Sequence, residues 1–480
     1  MKDNNANKKT QKLSILMPVY NEKGIVREVM EQILNAPVEN PFELLVIDDG
    51  STDGSTEIIW EMASKHDNVV PIRLQKNHGK GFAIRQAIQK MTGDIALIHD
   101  ADLKYSVADY PRILKPILEG NADAVFGSRF LVKDETMVMF FWHRVANKIL
   151  AFLVNIFTNM TYTDVETCFK AVRATILKQT PLFEDRFGIE VELAIKLPKW
   201  NLRIVEVPIS YIGRTCYEGK KIGLRDSMRS LWAIFKYSVL NRSFSTNKGF
   251  LILKALEYDP KYNDWLFALI KRFLGRNIVE VGSGIGTISK YLLLYDNVAL
   301  TDIDPFYLEV LKRRYAYLAH VGVYYYDITQ PERFNEVIPF VPDTIICSNV
   351  IEHIKDAREV VASFERLLAP GGRLILLIPQ GNHLYGAVDR AAGHYKRYTV
   401  EEAEECLGNS GFEVEYIATF NKFTVPLWYV RTCILKGSKI SSASSIIHNL
   451  MVPILKPLDR VLPWKGLSIL AVGKKPEAHK

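Results

Sequence analysis

The chain alternates twice between short β-rich runs and helical stretches, and this repeat limits the folds open to it more than any other feature. The first series is LSILMPVY (13–20), ELLVIDD (43–49), VVPIRLQ (69–75), DIALIHD (94–100) and DAVFGS (123–128). Segments such as IVREVMEQILNA and GKGFAIRQAIQKM separate these runs and carry helical spacing. The second series is NIVEVGSG (277–284), VALTDID (298–304), VGVYYYD (321–327), DTIICSNV (343–350), RLILLIPQ (373–380), FEVEYIATF (412–420) and LSILAVGK (467–474). Such alternation implies α/β domains, each a parallel sheet covered by helices. At 480 residues the chain is too long for one ordinary core. Between the two series lies NRSFSTNKGF (241–250), polar and turn-rich, which reads as a linker. The expected domains are 1–245 and 246–480.

Ligands of open α/β sheets bind at the carboxyl ends of strands. Asp48 and Asp49 end the second run, and Asp100 and Asp102 end the fourth. The five cysteines are scattered with no CxxC pair, which argues against a disulfide framework or a zinc site and suits a reducing compartment. The start, MKDNNANKKTQK, has no apolar leader core, and no uncharged apolar run reaches the about 18 residues of a membrane span. A cytoplasmic location is expected.

The net charge of +7 is concentrated rather than spread. Residues 431–480 hold nine Lys and Arg against Asp459 and Glu477. A second basic stretch gathers Arg214, Lys220, Lys221, Arg225, Arg229, Lys236 and Arg242. Both would attract phosphate groups, or serve only as solvated faces.

Two carboxylates one residue apart at a strand end are hard oxygen ligands suited to Mg²⁺ or Mn²⁺ bound with a substrate diphosphate. Alone, Asp100-x-Asp102 could equally be a surface turn. Taken with SILMPVYNE (14–22), LLVIDDGSTDGS (44–55), KNHGKGFAIRQA (76–87), GDIALIHDADL (93–103) and FGSRF (126–130), it resembles glycosyltransferase family 2. Within that family it is most like the polyprenyl-phosphate sugar transferases, over about residues 13–240. TDVETCFKAVR (163–173) and FGIEVELAIKL (187–197) extend the likeness. The resemblance implies a GT-A fold, a nucleotide-sugar donor and Mg²⁺ or Mn²⁺ on Asp100 and Asp102. It implies that Pro18, Tyr20 and Glu22 line the nucleotide pocket, and that Asp49, with Asp48, meets the base or ribose. It places Lys80 near the donor, Arg129 on phosphate charge, and Asp164 at the acceptor as a base if a hydroxyl is glycosylated. Lys104 departs from the family, which often has an oxygen-bearing ligand there. Charged lysine cannot ligate a metal, so either the metal loses a ligand or Lys104 binds phosphate as a point charge.

MVMFFWHRVANKILAFLVNIFTNM (137–160) gathers its polar residues near one helical face, opposite a broad apolar face. It could lie in a membrane interface, with His143, Arg144 and Lys148 toward headgroups, or be a core or dimer helix. The interfacial reading favours a lipid-phosphate acceptor, which is already ionised and needs positioning more than a base.

In the second half, IVEVGSGIGTISKYL (278–292) sets Gly282, Gly284 and Gly286 between strand and helix, where a ligand can approach the backbone. A dinucleotide-binding domain would look the same at that point. Asp302, Asp327 in VYYYDIT, SNVIEHIKD (348–356) and LLAPGGRLILLIPQ (367–380) resemble the class I S-adenosylmethionine-dependent methyltransferases, over about residues 260–475. That likeness implies a Rossmann-like seven-stranded sheet. It implies Glu280 and the three glycines at the methionine part of S-adenosylmethionine, Asp302 at the ribose, Asp327 at the adenine amine and Asn349 at the end of strand four. His394 in DRAAGHYKRYT (389–399) and His353 are candidate bases or acceptor contacts. The long basic and apolar piece 421–466 should be a helical cap or a second membrane-surface contact.

Together these features predict a bifunctional enzyme on the cytoplasmic face of a membrane. It would transfer a sugar, with inversion, to a polyprenyl phosphate or lipid-linked glycan, and would methylate an oxygen of a sugar or related acceptor. The alternatives are a single-activity methyltransferase with a donor-binding or targeting N-terminal half, and a nicotinamide oxidoreductase. Nucleic acid is not expected as a partner.

Overall fold

A computed structural model of the chain describes residues 10–131, 141–212, 224–240, 244–315, 317–437 and 442–477. Residues 137–140 of the apolar helical stretch, and Arg214, Lys220, Lys221 and Arg242 of the basic stretch, lie outside the described residues. The chain forms two compact units, Met1–Thr246 and Asn247–Lys480.

The first unit is built on seven strands: β1 (Leu13–Val19), β2 (Phe42–Asp48), β3 (Val69–Arg73), β4 (Ile95–Ile98), β5 (Ala124–Ser128), β6 (Lys170–Arg173) and β7 (Ile204–Pro208). Their order is β3-β2-β1-β4-β6-β5-β7. Near-continuous apolar runs such as Leu44–Ile47 and Ile95–Ile98 are buried on both faces, as expected of strands covered on two sides by helices. Truncating one of them, for example Leu16→Ala, should cost about 2–5 kcal/mol.

The sheet is not wholly parallel. β6 runs antiparallel to both β4 and β5. Residue pattern reports burial, not direction; direction depends on where the preceding connection returns the chain. β6 and β7 also escaped the pattern, since β6 has four residues and carries the fully buried Lys170.

The second unit holds β8 (Asn277–Val281), β9 (Asn297–Asp302), β10 (Val321–Tyr325), β11 (Thr344–Ser348), β12 (Arg373–Pro379), β13 (Glu413–Phe420) and β14 (Ser468–Lys474). Their order is β10-β9-β8-β11-β12-β14-β13, with β14 antiparallel to both neighbours. Ile345 and Cys347 of β11 enter one core and Ile346 the other, so each strand feeds both faces. The chain reverses direction of travel across the sheet between β8 and β11, and crevices form at such a point.

The piece between β13 and β14 is mostly helical. A short helix, Val425–Trp428, runs into a wider turn, Tyr429–Ile434, and the helix Ser442–Leu458 follows. Trp428 Nε1 donates to Leu384 O at 3.1 Å, and the Arg397 guanidinium lies 4.8 Å over its ring. The start of the insertion therefore caps the loop that follows β12. Among the described residues no helix is long and apolar enough to cross a membrane.

Candidate active sites

In the N-terminal unit the strand-end acids have distinct roles. Asp48 is fully buried and holds the turn after β2: its carboxylate accepts from Ser51 N at 2.8 Å and from the Thr56 hydroxyl. Both Asp48 carboxylate oxygens thus have partners within the turn. Asp49 accepts from the amides of His78 and Gly79 at 2.9 and 2.6 Å, tying the β2 end to the loop before the helix Lys80–Lys90. Gly81 opens that helix because a Cβ there would lie 2.1 Å from Glu184 O. The loop containing Pro18, Tyr20 and Glu22 follows β1; Tyr20 is exposed, and Glu22 N donates to Ser55 Oγ at 2.9 Å.

Asp100 and Asp102 follow β4, and each meets a lysine. Lys80 Nζ is 2.6 Å from Asp100 Oδ1 and 2.6 Å from Glu190 Oε1. Lys170 takes the other Glu190 oxygen at 2.6 Å. Burial pulls against the Lys80 charge, but Asp100 and Glu190 outweigh it and hold its pKa well above the usual lysine value. His99, buried beside Lys80 and hydrogen-bonded to the Tyr110 hydroxyl at 2.6 Å, falls to about 4, chiefly by burial. Lys104 folds back onto Asp102, with Nζ 3.0 Å from Oδ2. The lysine that departs from the family pattern is thus placed on the second carboxylate.

Arg129 and Asp164 form one bidentate pair, with Nε–Oδ2 at 2.6 Å and Nη2–Oδ1 at 2.8 Å. Asp164 is fully buried, and its backbone amide and Thr163 are held by Glu206. An acid clamped in this way orients Arg129. Beside it opens a cleft of about 510 Å³ lined in part by Phe130, Arg144, Lys148, Phe152, Tyr162 and Thr163.

In the C-terminal unit, Gly282, Gly284 and Gly286 all have positive φ, at 69°, 54° and 83°. At Gly282 a Cβ would sit 2.2 Å from Val350 Cγ2, so the turn requires glycine on steric as well as torsional grounds. Asp302 ends β9 and accepts from Gly284 N at 2.8 Å and Asp304 N at 2.9 Å, which pins the glycine turn to the neighbouring strand. Glu280 is buried against the Ser289 hydroxyl, and burial pushes its carboxyl up to about 7. Asp327 follows β10 and binds Thr329 N and its hydroxyl at 2.9 and 2.7 Å. Asn349 follows β11 with a left-handed φ of 52° and an exposed side chain.

His394 lies in the loop after β12, with Nδ1 3.0 Å from Asp389 Oδ1 and its ring 4.7 Å from that of His353. Asp389 also accepts from Arg397 Nε at 2.9 Å and Gly386 N at 2.8 Å. Glu352 is fully buried nearby, and burial raises its carboxyl to about 8.

Sequence reasoning overlooked Glu190, Lys170, Glu206, Glu352 and Asp389. A signal existed for some of them. GIEVELAIK (188–196) sets two acids and a lysine in an otherwise apolar helix, and such groups are rarely buried unless paired.

Residues 14–180 match the model of glycosyl transferase family 2, and residues 279–374 match that of a methyltransferase domain. Glycosyltransferase AglJ of Haloferax volcanii is 31% identical over 42% of this chain and 63% of its own length. Dolichol-phosphate mannosyltransferase of Pyrococcus furiosus is 29% identical over 50% of this chain and 72% of its own. An undecaprenyl-phosphate 4-deoxy-4-formamido-L-arabinose transferase of Proteus mirabilis is 28% identical over 44% and 63%. The chain thus spans less than two thirds of the first and third of these relatives. Through its N-terminal unit the chain belongs to glycosyl transferase family 2, and its C-terminal unit carries a methyltransferase domain.

Proposed function

We propose that the N-terminal unit transfers a sugar from a nucleotide donor to a polyprenyl phosphate or a lipid-linked glycan, and that the C-terminal unit methylates an oxygen on that sugar or a related acceptor. The observation that carries the first part is the acid and lysine cluster at the β4 end. Asp100 and Asp102 form a hard-oxygen donor set, partly open to solvent, that fits a divalent cation. Such an ion, when bound, supplies positive charge for a diphosphate leaving group. Lys80 and Lys104 would turn from the carboxylates to the phosphates as the acids engage the cation. Pro18, Tyr20, Glu22 and Asp49 would hold the nucleotide. Arg129, fixed by Asp164, would meet phosphate charge at the mouth of the cleft. No second nucleophile is needed, and direct displacement would invert the anomeric centre.

The cleft itself supports a lipid-phosphate acceptor. Arg144 and Lys148 offer charge beside Phe130 and Phe152. The helix Phe141–Thr158 exposes Phe141, Trp142, Ile149, Phe152, Ile156 and Phe157 while burying Leu150, Ala151 and Val154. An apolar face with basic residues at its edge suits the interface of an anionic membrane, which makes peripheral attachment part of the reading. The relatives named for dolichol phosphate and undecaprenyl phosphate point the same way.

In the C-terminal unit, Glu280 and Asp302 flank a backbone of positive-φ glycines. Acids beside close-approach backbone fit a cationic, hydroxyl-bearing ligand such as S-adenosylmethionine, with Asp327 and Asn349 on adjacent loops. When bound, that cofactor supplies an electrophilic methyl group. His394, with its Nδ1 proton held by Asp389, presents Nε2 to take the proton of an acceptor hydroxyl.

The Lys104–Asp102 pair favours one second reading, in which the N-terminal unit binds donor without turning it over and methylation is the sole activity. Labelled S-adenosylmethionine supplied with unglycosylated lipid or with its glycosylated product separates the two. Methyl label that appears only on the glycosylated product, after donor turnover, supports the bifunctional reading. Methylation with no donor turnover under any condition supports the second.

A further inference from the structure

Glu352 sits in the single helical turn Ile351–His353 just beyond β11, fully buried, and among the described residues no other residue donates a hydrogen bond to either of its carboxylate oxygens. Burying a carboxylate without a partner costs several kcal/mol, so a group in this state points to a missing cation or proton. What faces it is a second lone pair. Asp389 already gathers donors from Gly386 and Arg397 and accepts the Nδ1 proton of His394. The other nitrogen, Nε2, lies 4.0 Å from Glu352 Oε1. That separation is too long for a hydrogen bond; two atoms each about 2.0–2.2 Å from a shared ion span it only at a wide angle, and would draw about 0.6 Å closer around a tetrahedral ion. His353 completes the group: its ring stands at 88° to that of His394, and ligand atoms of all three residues lie within 4.8 Å of one another.

We propose that Glu352, His353 and His394 bind one divalent transition-metal ion in the C-terminal unit. Two imidazoles and a carboxylate favour Mn²⁺, Co²⁺ or Zn²⁺ over Mg²⁺ or Ca²⁺, which prefer all-oxygen sets. The Asp389–His394 contact is the carboxylate support that metal-bound histidines characteristically have. The site uses no cysteine, so the cysteine pattern gave no sign of it. It also lies close to the glycine turn. Val350, two residues before Glu352, is the side chain that a Cβ at Gly282 would strike. His353 is exposed, which leaves coordination positions open toward solvent. There the ion would take the lone pair of His394 Nε2, bind an acceptor oxygen and ease loss of its proton to solvent, replacing direct proton uptake by His394; this role rests on the methyl-transfer reading, whereas the cation site itself does not.

The test uses the full chain carrying Asp102→Ala, so that the acids of the other unit do not contribute, stripped of metal and titrated with Co²⁺. Absorption bands of ligand-bound Co²⁺ should saturate near one equivalent. Glu352→Gln and His353→Ala should each weaken binding by at least a hundredfold, and Asp389→Asn by about 10–100-fold. His353 is exposed, so its variant reports even if Glu352→Gln disturbs folding. No Co²⁺ bound at millimolar concentration, or binding unchanged in both ligand variants, overturns the proposal. S-adenosylmethionine binding measured by calorimetry on the same samples tests the methyltransferase reading separately, whichever way the cation result falls.

Discussion

Replacing Asp164 with Asn should unsettle the N-terminal unit by leaving Arg129 buried without its counter-charge. Three contacts join the two residues: two side-chain bonds at 2.6 and 2.8 Å and the Arg129 amide at 3.2 Å. Asp164 is fully buried and the Arg129 side chain is 9% exposed, so solvent screens the pair little. Removing one partner of such a pair costs about 3–5 kcal/mol, and replacing both with apolar residues of similar volume costs far less. Asp164→Asn and Arg129→Met should therefore each cost about 3 kcal/mol or more, and the double change Arg129→Met with Asp164→Leu less than their sum. Urea unfolding read by hydrogen exchange of peptides covering 160–175 assigns the loss to this unit. The same logic reaches catalysis. If Asp164 orients Arg129, either single change lowers sugar transfer without shifting its pH profile, because neither residue exchanges a proton with the acceptor. A cost below about 1 kcal/mol for Asp164→Asn, additive losses, or a basic limb that vanishes with Asp164 would show that the carboxylate acts on the acceptor itself and would refute the reasoning.

Removing the lysine that leans on Asp102, as in Lys104→Gln, should tighten Mn²⁺ binding at the β4 end by about tenfold, near 1.4 kcal/mol; electron paramagnetic resonance of bound Mn²⁺ reads this, and unchanged or weaker binding contradicts it. The Glu280 carboxyl, raised by burial from 4.5 to about 7, contributes stability that is complete below about pH 4.5 and lost as the pH rises through 7. Unfolding of the C-terminal unit should thus lose up to about 3 kcal/mol across that window, and Glu280→Gln should flatten the slope; an identical slope in the variant argues against it. Phe152→Asp on the exposed face of the helix Phe141–Thr158 should weaken co-sedimentation with anionic vesicles severalfold, without loss of secondary structure by circular dichroism; equal sedimentation would remove this helix from the membrane.

Much of the architecture was legible because central strands of α/β sheets are apolar on both faces. Leu44–Ile47 and Ile345–Cys347 stand out for this reason. The antiparallel β6 was not legible, since direction leaves no mark on a four-residue run that includes a lysine. At the sites, position could be read but pairing could not. Asp100 and Asp102 fall at a strand end, as expected. That Lys80 joins Asp100 to Glu190, and that Asp164 clamps Arg129, depends on contacts between residues 20 to 110 apart in sequence. Asp48 and Asp49 show the limit most sharply. They are neighbours at the same strand end, yet one is consumed by its own turn and the other reaches a loop 29 residues on. Glu352 was hidden for a related reason: an acid next to a histidine on a short turn looks like surface until its burial is known.

The central claim is tested most directly by incubating the protein with a nucleotide sugar, Mn²⁺ and a short polyprenyl phosphate, and following label into the lipid phase for the native chain and for Asp102→Ala. The account predicts sugar–phosphate lipid from the native chain, of inverted anomeric configuration, and none above background from Asp102→Ala. Equal product from both chains, or turnover of donor to free sugar with none reaching the lipid for any nucleotide sugar, would contradict it.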